Sequence, residues 1–339
     1  MHIILHRYTL QLKHHFKIAR DERSAQPTLI VELKEGELSG YGEATTNTYY
    51  QITYENMAAC LQKVNDRLEN YTFSMPEQFW EDMKDYFTEN PFAQCALDEA
   101  AYDLYGKKLG KPLYQIWELD LAKMPQTNYT IGIDSIENMV KKMKELPWDL
   151  YKIKLGTAYD MDIVKELRKH TEAVFRVDAN CGWTAEETIR NSFELRQLGV
   201  EFIEQPLKAD DWAGMKEVFA HSALPVIADE SCIVEGDVRK CFQYFHGINI
   251  KLMKCGGLTP ARRMIAEARK LGMQVMMGCM TESSVGITAI AHIAPMLDYV
   301  DMDGPLLITN DIADGVQINR AGVSLPNRNG IGSVLKPIS

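Results

Sequence analysis

The strongest constraint on this chain is a set of polar residues that recur at the ends of short apolar segments. From about residue 125, apolar runs alternate with amphipathic stretches. The runs are Tyr129–Ile133, Tyr151–Leu155, Phe175–Asp178, Phe202–Glu204, Val226–Asp229, Gly247–Leu252, Gln274–Met277 and Tyr299–Met302. Stretches such as Asp160–His170, Ala185–Leu198 and Pro260–Leu271 carry helical spacing between them. Eight strands alternating with helices predict an α/β fold of the (β/α)₈ TIM-barrel type. An open doubly wound sheet competes, but it usually carries a glycine-rich phosphate loop after its first strand, and none is present. Lys154, Asp178, Glu204, Asp229 and Lys254 are spaced by 24, 26, 25 and 25 residues, each at or just past the C-terminal end of its strand. A barrel gathers such positions on one rim, where active sites form.

The segment before the barrel has a different grammar. Residues 1–45 read as β structure: Thr28–Leu33 is a strand, Glu35-Gly36-Glu37 a turn, and Leu38 to Glu43 leads back. A charge-rich stretch, Phe16–Pro27, reads as a loop. Residues 51–68, 76–89 and 92–109 have helical patterns, with Pro91 suited to a first helical turn. Residues 1–115 are therefore expected to form an α+β unit, strands first and helices afterwards.

Composition removes several function classes. The 339 residues carry a net charge of −10, which argues against a general nucleic-acid binder. No apolar run approaches a membrane span, and the N-terminus lacks the layout of a secretory leader. Seven cysteines without a CxxC pair indicate neither a zinc site nor a disulfide framework, so reduced thiols in the cytoplasm are expected. His2 and His6 lie in an alternating, strand-like segment, where a spacing of four has no ligand meaning.

The rim residues carry the chemistry. One isolated acid would ordinarily be a helix cap or a surface charge. Asp178, Glu204 and Asp229 instead come in phase from consecutive strands, and buried carboxylates at such proximity need a cation. Three hard oxygen donors suit Mg²⁺, and Mn²⁺ would fit similarly. Lys152 and Lys154 are two apart on one strand and share a face. Mutual repulsion and burial would lower their pKa values towards the range of a general base. Lys254 lies four strands later, on the opposite arc, and strand parity turns Lys251 away from it. A metal that grips a substrate carboxylate can stabilise an enediolate while two lysines on opposite faces remove and return the α-proton. That layout predicts racemisation or epimerisation. With one lysine as a passive cation, the same site could run an elimination or a cycloisomerisation.

Tyr151-Lys152-Ile153-Lys154, Asp178-Ala179-Asn180, Glu204-Gln205-Pro206, Ala228-Asp229-Glu230-Ser231 and Asn249-Ile250-Lys251-Leu252-Met253-Lys254-Cys255-Gly256-Gly257 together resemble the muconate-lactonising-enzyme subgroup of the enolase superfamily. The resemblance covers nearly the whole chain. It implies a modified (β/α)₇β barrel over residues 116–308, under an α+β capping domain formed by residues 1–115 and a returning tail, 309–339. It also implies metal ligands at Asp178, Glu204 and Asp229 and acid/base lysines at Lys154 and Lys254. Asn180 and Glu230 are expected behind or beside the ligands, and Lys152 beside the substrate. Val300-Asp301-Met302-Asp303-Gly304-Pro305 is similar to the element with which dipeptide epimerases hold the substrate's α-ammonium group. The alternative is that both acids cap the following turn. Gly278-Cys279-Met280-Thr281-Glu282 resembles the seventh-strand motif, which brings Met280 and Thr281 to the substrate and Glu282 near Lys254.

The expected substrate is a dipeptide with a free N-terminus, inverted at its second residue. Side-chain specificity is expected from Phe16–Pro27 and Asn47–Thr53. Relatives acting on Ala-Glu carry an arginine in the first of these. An ungapped count puts Asp21 there, flanked by Arg20 and Arg23, and an acid would favour a neutral or hydrophobic second residue. N-acylamino acid racemase, cycloisomerase, succinylbenzoate synthase and Ala-Glu epimerase activities are the alternatives on this scaffold. A metal-dependent binding protein without catalysis is the alternative from another class, and association of identical copies stays open.

Overall fold

The structure, a computed structural model, describes residues 1–18 and 21–337, apart from the side chain of Asp21. Strands β1 (His2–Ile18), β2 (Asp21–Glu35) and β3 (Leu38–Thr45) form an antiparallel sheet in sequence order. The stretch Phe16–Pro27 is therefore not a loop. Its described residues continue the β1–β2 ribbon, with Phe16 opposite Arg23 and Ile18 opposite Asp21. Helices α1 (Tyr54–Leu68), α2 (Pro76–Met83) and α3 (Pro91–Leu109) follow. Thr53 caps α1 in a reciprocal bond pair with Asn56, and Asn90 caps α3 through Ala93 N at 3.0 Å. The left-handed Gly110 ends α3. Alternate positions of β3 are Gly40 and Gly42, where a Cβ would collide with the α3 backbone, so the helix lies directly on the strand.

A short helix, α4 (Leu113–Ile116), leads to the barrel. Its strands are β4 (Tyr129–Ile131), β5 (Leu150–Lys154), β6 (Val174–Asp178), β7 (Val200–Glu204), β8 (Val226–Ala228), β9 (Gly247–Ile250), β10 (Gln274–Met277) and β11 (Tyr299–Val300). All neighbours are parallel and in sequence order. A bridge between Thr127 and Val300 joins the two edges, curling the sheet into a barrel. Helices α5 (Ile136–Glu145), α6 (Asp160–Arg168), α7 (Ala185–Gln197), α8 (Trp212–His221), α9 (Glu235–Cys241), α10 (Leu252–Cys255), α11 (Leu258–Lys270) and α12 (Ser284–Ile293) separate successive strands. The pair α10 and α11 shares one connection, so the order is seven βα units and a closing strand.

Strand period fixes what faces inward. A lower layer mixes apolar and polar residues, with Phe202, Ile227 and Met276 packed against Tyr299 and with Lys152, Arg176 and Asn249 buried on the other strands. Arg176 lies over the rings of Phe202 and Tyr299 and bonds Glu201 at 2.7 Å. Two residues further along each strand the inward layer turns polar: Lys154, Asp178, Glu204, Asp229, Lys251 and Asp301. That layer is the floor on which a site can be built.

The chain end touches both regions. After α13 (Gly304–Leu307), Ile308 bridges Leu12 and Thr309 N bonds Gln11 O at 2.8 Å. Strand β12 (Ala313–Asp314) pairs with β15 (Val334–Leu335), and β13 (Gln317–Asn319) with β14 (Gly322–Ser324). Between them Arg320 grips Asp149 of the barrel, while Ile331 N bonds the buried Asp103 of α3 at 2.7 Å. Among the described residues no helix is long and apolar enough to cross a membrane.

Candidate active site

Parallel register brings the functional residues together. Lys154 pairs with Asp178, Asp178 with Glu204, and Glu204 with Ile227, two residues before Asp229. The side chains of Asp178, Glu204 and Asp229 are buried, and carboxylate oxygens of all three lie within 4.8 Å of one another. Four lysines surround them. Lys152 Nζ is 2.7 Å from Glu204 Oε2 and 3.4 Å from Asp178 Oδ2. Lys154 Nζ is 2.6 Å from Asp178 Oδ2, and Lys251 Nζ 2.7 Å from Asp229 Oδ2. Lys254 Nζ is 2.5 Å from Asp229 Oδ1.

These charges set the protonation states. Burial raises the Asp178 carboxyl, but the ammonium groups of Lys154 and Lys152 outweigh it and hold it at about 2. Asp229 is likewise held well below the carboxylate range, burial being overcome by Lys251 and Lys254. Glu204 is pushed up to about 7 by burial and the charge of Asp178. The expected lowering of Lys152 by burial and by its lysine neighbour does not prevail. Burial does oppose its charge, but Glu204, Asp301 and Asp178 raise it well above the ordinary lysine value.

A cavity of about 290 Å³ opens above this floor. Lys152, Lys154, Lys251, Asn180 and Glu230 line it from the barrel side, as do Thr130, Cys279, Met280, Thr281, Asp301 and Asp303. Phe16, Ile18, Arg23, Asn47, Thr48, Tyr49 and Tyr50 close it from the N-terminal region, with Leu307. Both specificity segments thus reach the cavity. Arg20 and the side chain of Asp21 lie outside the described residues; Arg23 donates to Gln26 Oε1.

Two expectations about lysines are corrected. Lys251 does not face away: strand β9 runs inward at Asn249 and again at Lys251, and its ammonium enters the cavity. Parity counted from Lys254 fails because β9 ends at Ile250 and Lys254 sits in the turn of α10. Lys254 is not among the cavity-lining residues. Its side chain has no exposure, and its ammonium is spent on Asp229 Oδ1 and on the carbonyls of Asp229, Cys232 and Asn249 at 2.6, 3.0 and 3.2 Å. Lys251 also acts electrostatically on Glu282. Burial and the charge of Glu43 push its carboxyl up to about 8, partly opposed by Lys251, and its Oε1 accepts from Met280 N at 2.7 Å.

At the opposite rim, Asp301 Oδ1 accepts from Asn128 Nδ2 at 2.8 Å and Oδ2 lies 3.2 Å from Lys152 Nζ. Asp303 accepts from Thr130 N at 2.5 Å. Its side chain makes no bond to the start of α13, so it does not cap that turn. Burial and the charge of Asp301 push Asp303 well above the carboxylate range, whereas Asp301, raised by burial, is drawn below it by Lys152 and Lys154. The surroundings therefore drive the two carboxyls in opposite directions.

Sequence reasoning missed three supporting residues. Asn249 Nδ2 bonds Glu204 Oε1 at 2.8 Å, Thr130 N bonds Asp303, and Gln205 bonds the backbone of Asp229. Strand parity from Lys251 would have found Asn249.

Residues 3–117 match the mandelate racemase/muconate lactonizing enzyme N-terminal domain, and residues 134–338 the enolase C-terminal domain-like family. A Flavobacterium johnsoniae protein named L-Ala-D/L-amino acid epimerase is 59% identical over 335 residues, covering 99% of this chain and 100% of the relative. A Maribacter protein of the same name is 57% identical, covering 99% of each. Among solved structures, the dipeptide epimerase of Cytophaga hutchinsonii, complexed with Mg and D-Ala-L-Val, superposes with a TM-score of 0.93 at 26% identity, over 99% of this chain and 95% of that one. The substrate-liganded L-Ala-D/L-Glu epimerase of Bacillus subtilis gives 0.92 at 29% identity, over 98% of each. With both parts of its length matched and its polar floor in the expected order, the chain belongs to the mandelate racemase/muconate lactonizing enzyme family.

Proposed function

We propose that this protein is a Mg²⁺-dependent dipeptide epimerase that inverts the α-carbon of the second residue of Ala-X, with X neutral or hydrophobic. One observation carries the reading: Lys154 and Lys251 enter a single cavity from strands four apart in the barrel, on either side of the acid triad, with the Asp301–Asp303 pair at the rim. The closest arrangement of donors suits a hard divalent ion. Three buried carboxylates converge, and Glu204 Oε2 lacks a well-aligned hydrogen bond although Lys152 Nζ is 2.7 Å away. Asp178, Glu204 and Asp229 would hold Mg²⁺, and Mn²⁺ fits the same oxygen set. When bound, such an ion supplies charge neutralisation at the substrate carboxylate.

The remaining work belongs to the chain. Lys152, held charged by three carboxylates, pairs with the substrate carboxylate as a fixed cation. Lys154 and Lys251 face the α-carbon from opposite sides. One removes the proton and the other returns one, which inverts the centre. Asp301 and Asp303 hold the free ammonium one residue away, and any proton between the two carboxyls leaves to solvent. Lys254 keeps Asp229 in place and takes no part in proton transfer, so the second base is Lys251. Asn180 and Glu230 flank the ligands, and Met280 and Thr281 border the substrate.

Phe16, Ile18, Tyr49 and Leu307 support a neutral or hydrophobic side chain, as does the broad name of the Flavobacterium and Maribacter relatives above. Arg23, in the cavity wall, favours Ala-Glu as the second reading. The seven cysteines, free among the described residues, are consistent with a cytoplasmic setting. The test is a set of Ala-X dipeptides and N-acylamino acids incubated in D₂O with Mg²⁺ or with chelator. Inversion and α-deuteration of free dipeptides, abolished by chelation and restored by Mg²⁺, is expected. Full turnover in metal-free protein, or reaction of N-acylamino acids alone, would overturn it.

A further inference from the structure

The three acids stand at the ends of consecutive strands, and one residue, through its side chain and its backbone, bonds the segments that follow the other two. Gln205 follows Glu204 directly and has a φ of +32°, a left-handed conformation unusual for a residue with a side chain. It is wholly buried. Its Oε1 accepts from Asp229 N at 2.9 Å and from Ser231 N at 3.1 Å. Its Nε2 donates to Leu207 O and to Ser231 Oγ, both at 2.9 Å. The amide therefore uses both donors and both acceptor directions. Its backbone bonds the other neighbours. Gln205 N donates to Ile227 O at 2.9 Å, and Gln205 O accepts from Cys181 N at 2.8 Å, three residues past Asp178.

We infer that Gln205 is a positioning residue that sets the spacing of the Asp178, Glu204 and Asp229 carboxylates, and with it the affinity for the divalent ion, without touching substrate. The inference rests on the reading of those acids as the metal site. An unusual backbone conformation persists where surrounding bonds over-determine it. Here those bonds end on the amide of one ligand and on the loop of another. The amide group itself is absent from the cavity wall, so its loss leaves the lysines and the substrate contacts in place. Partners that orient metal ligands typically govern affinity by about 10- to 100-fold.

The experiment is Mg²⁺ titration by calorimetry on wild type, Gln205→Met and Gln205→Glu, with turnover measured against both Mg²⁺ and dipeptide. Gln205→Met keeps the bulk but removes every side-chain bond. It should weaken Mg²⁺ binding by about 10- to 100-fold while kcat at saturating Mg²⁺ and the dipeptide KM change by about threefold or less. Gln205→Glu retains an acceptor for the Asp229 amide and should fall between Met and wild type. A folded Gln205→Met protein that binds Mg²⁺ as wild type does would overturn the inference. Should Gln205→Met not fold, Ser231→Ala decides. It removes one partner of the amide, and a loss of Mg²⁺ affinity of about threefold or more supports the inference, whereas wild-type affinity overturns it. Failure of the metal reading is distinguishable, because wild type and Asp178→Asn would then bind Mg²⁺ equally.

Discussion

Replacing Lys251 and Lys254 separately by Met separates chemistry from scaffold. Both ammonium groups pair with Asp229, at 2.7 and 2.5 Å, so either substitution leaves that buried carboxylate one partner. Beyond that pairing the two lysines differ. Among the described residues Lys251 bonds Asp229 alone and has a face on the cavity, and its loss leaves no carbonyl stripped of its donor. The fold should survive, and turnover should fall by the full contribution of a general acid–base group, about 10²–10⁴-fold, with substrate binding little changed. Lys254 donates to three backbone carbonyls as well as to Asp229. Removing it breaks a buried ion pair and strips those acceptors, a loss of about 3–5 kcal/mol in stability. Proton transfer in the folded fraction should persist. Chiral chromatography of an Ala-X dipeptide gives the rate, and urea unfolding followed by far-UV circular dichroism gives the stability. A stable, Mg²⁺-binding Lys254→Met protein as inactive as Lys251→Met would refute the division of roles, as would Lys251→Met turning over at the wild-type rate.

The other perturbations act on the rim and on the capping helix. N-acetylation of the dipeptide removes the cation facing Asp301 and Asp303 and should lower kcat/KM by about 10²-fold or more, a penalty that Asp303→Asn should reduce; equal kcat/KM for the two substrates would contradict the ammonium assignment. Asp98 of α3 is pushed up to about 8 by burial, opposed by bonds from Thr259. Because the folded value lies above the unfolded one of 3.8, its contribution to stability is full below about pH 4 and is lost as pH rises through about 8. Asp98→Asn should therefore gain in thermal midpoint relative to wild type between pH 5 and 8, and parallel melting curves across that window would refute the protonated state.

How far the sequence was legible depended on range. The barrel strands and the acids at their ends were readable because strand period and strand spacing are local properties. The same period misplaced the facing of Lys251 because the parity was counted across a strand end, from a residue already in the α10 turn. Phe16–Pro27 read as a loop because it is rich in charge, and most of its described residues are exposed or half-buried, so the alternation of a packed strand is weak there. Contacts such as Ser283 Oγ to Glu43 Oε2 at 2.6 Å join residues 240 apart, and no periodicity reports them. Gln205 is a buried amide whose value comes from partners on other strands, so its own neighbourhood gave no sign, whereas Asn249 needed only the correct parity at Lys251.

The most direct test of two-base inversion follows each epimer of the dipeptide separately in D₂O with Lys154→Ala and Lys251→Ala. Each variant retains one lysine, so it should exchange the α-proton of one epimer without inverting it, and the two variants should label opposite epimers. Both variants labelling the same epimer, or either one inverting the centre at the wild-type rate, would contradict the assignment of Lys154 and Lys251 to opposite faces.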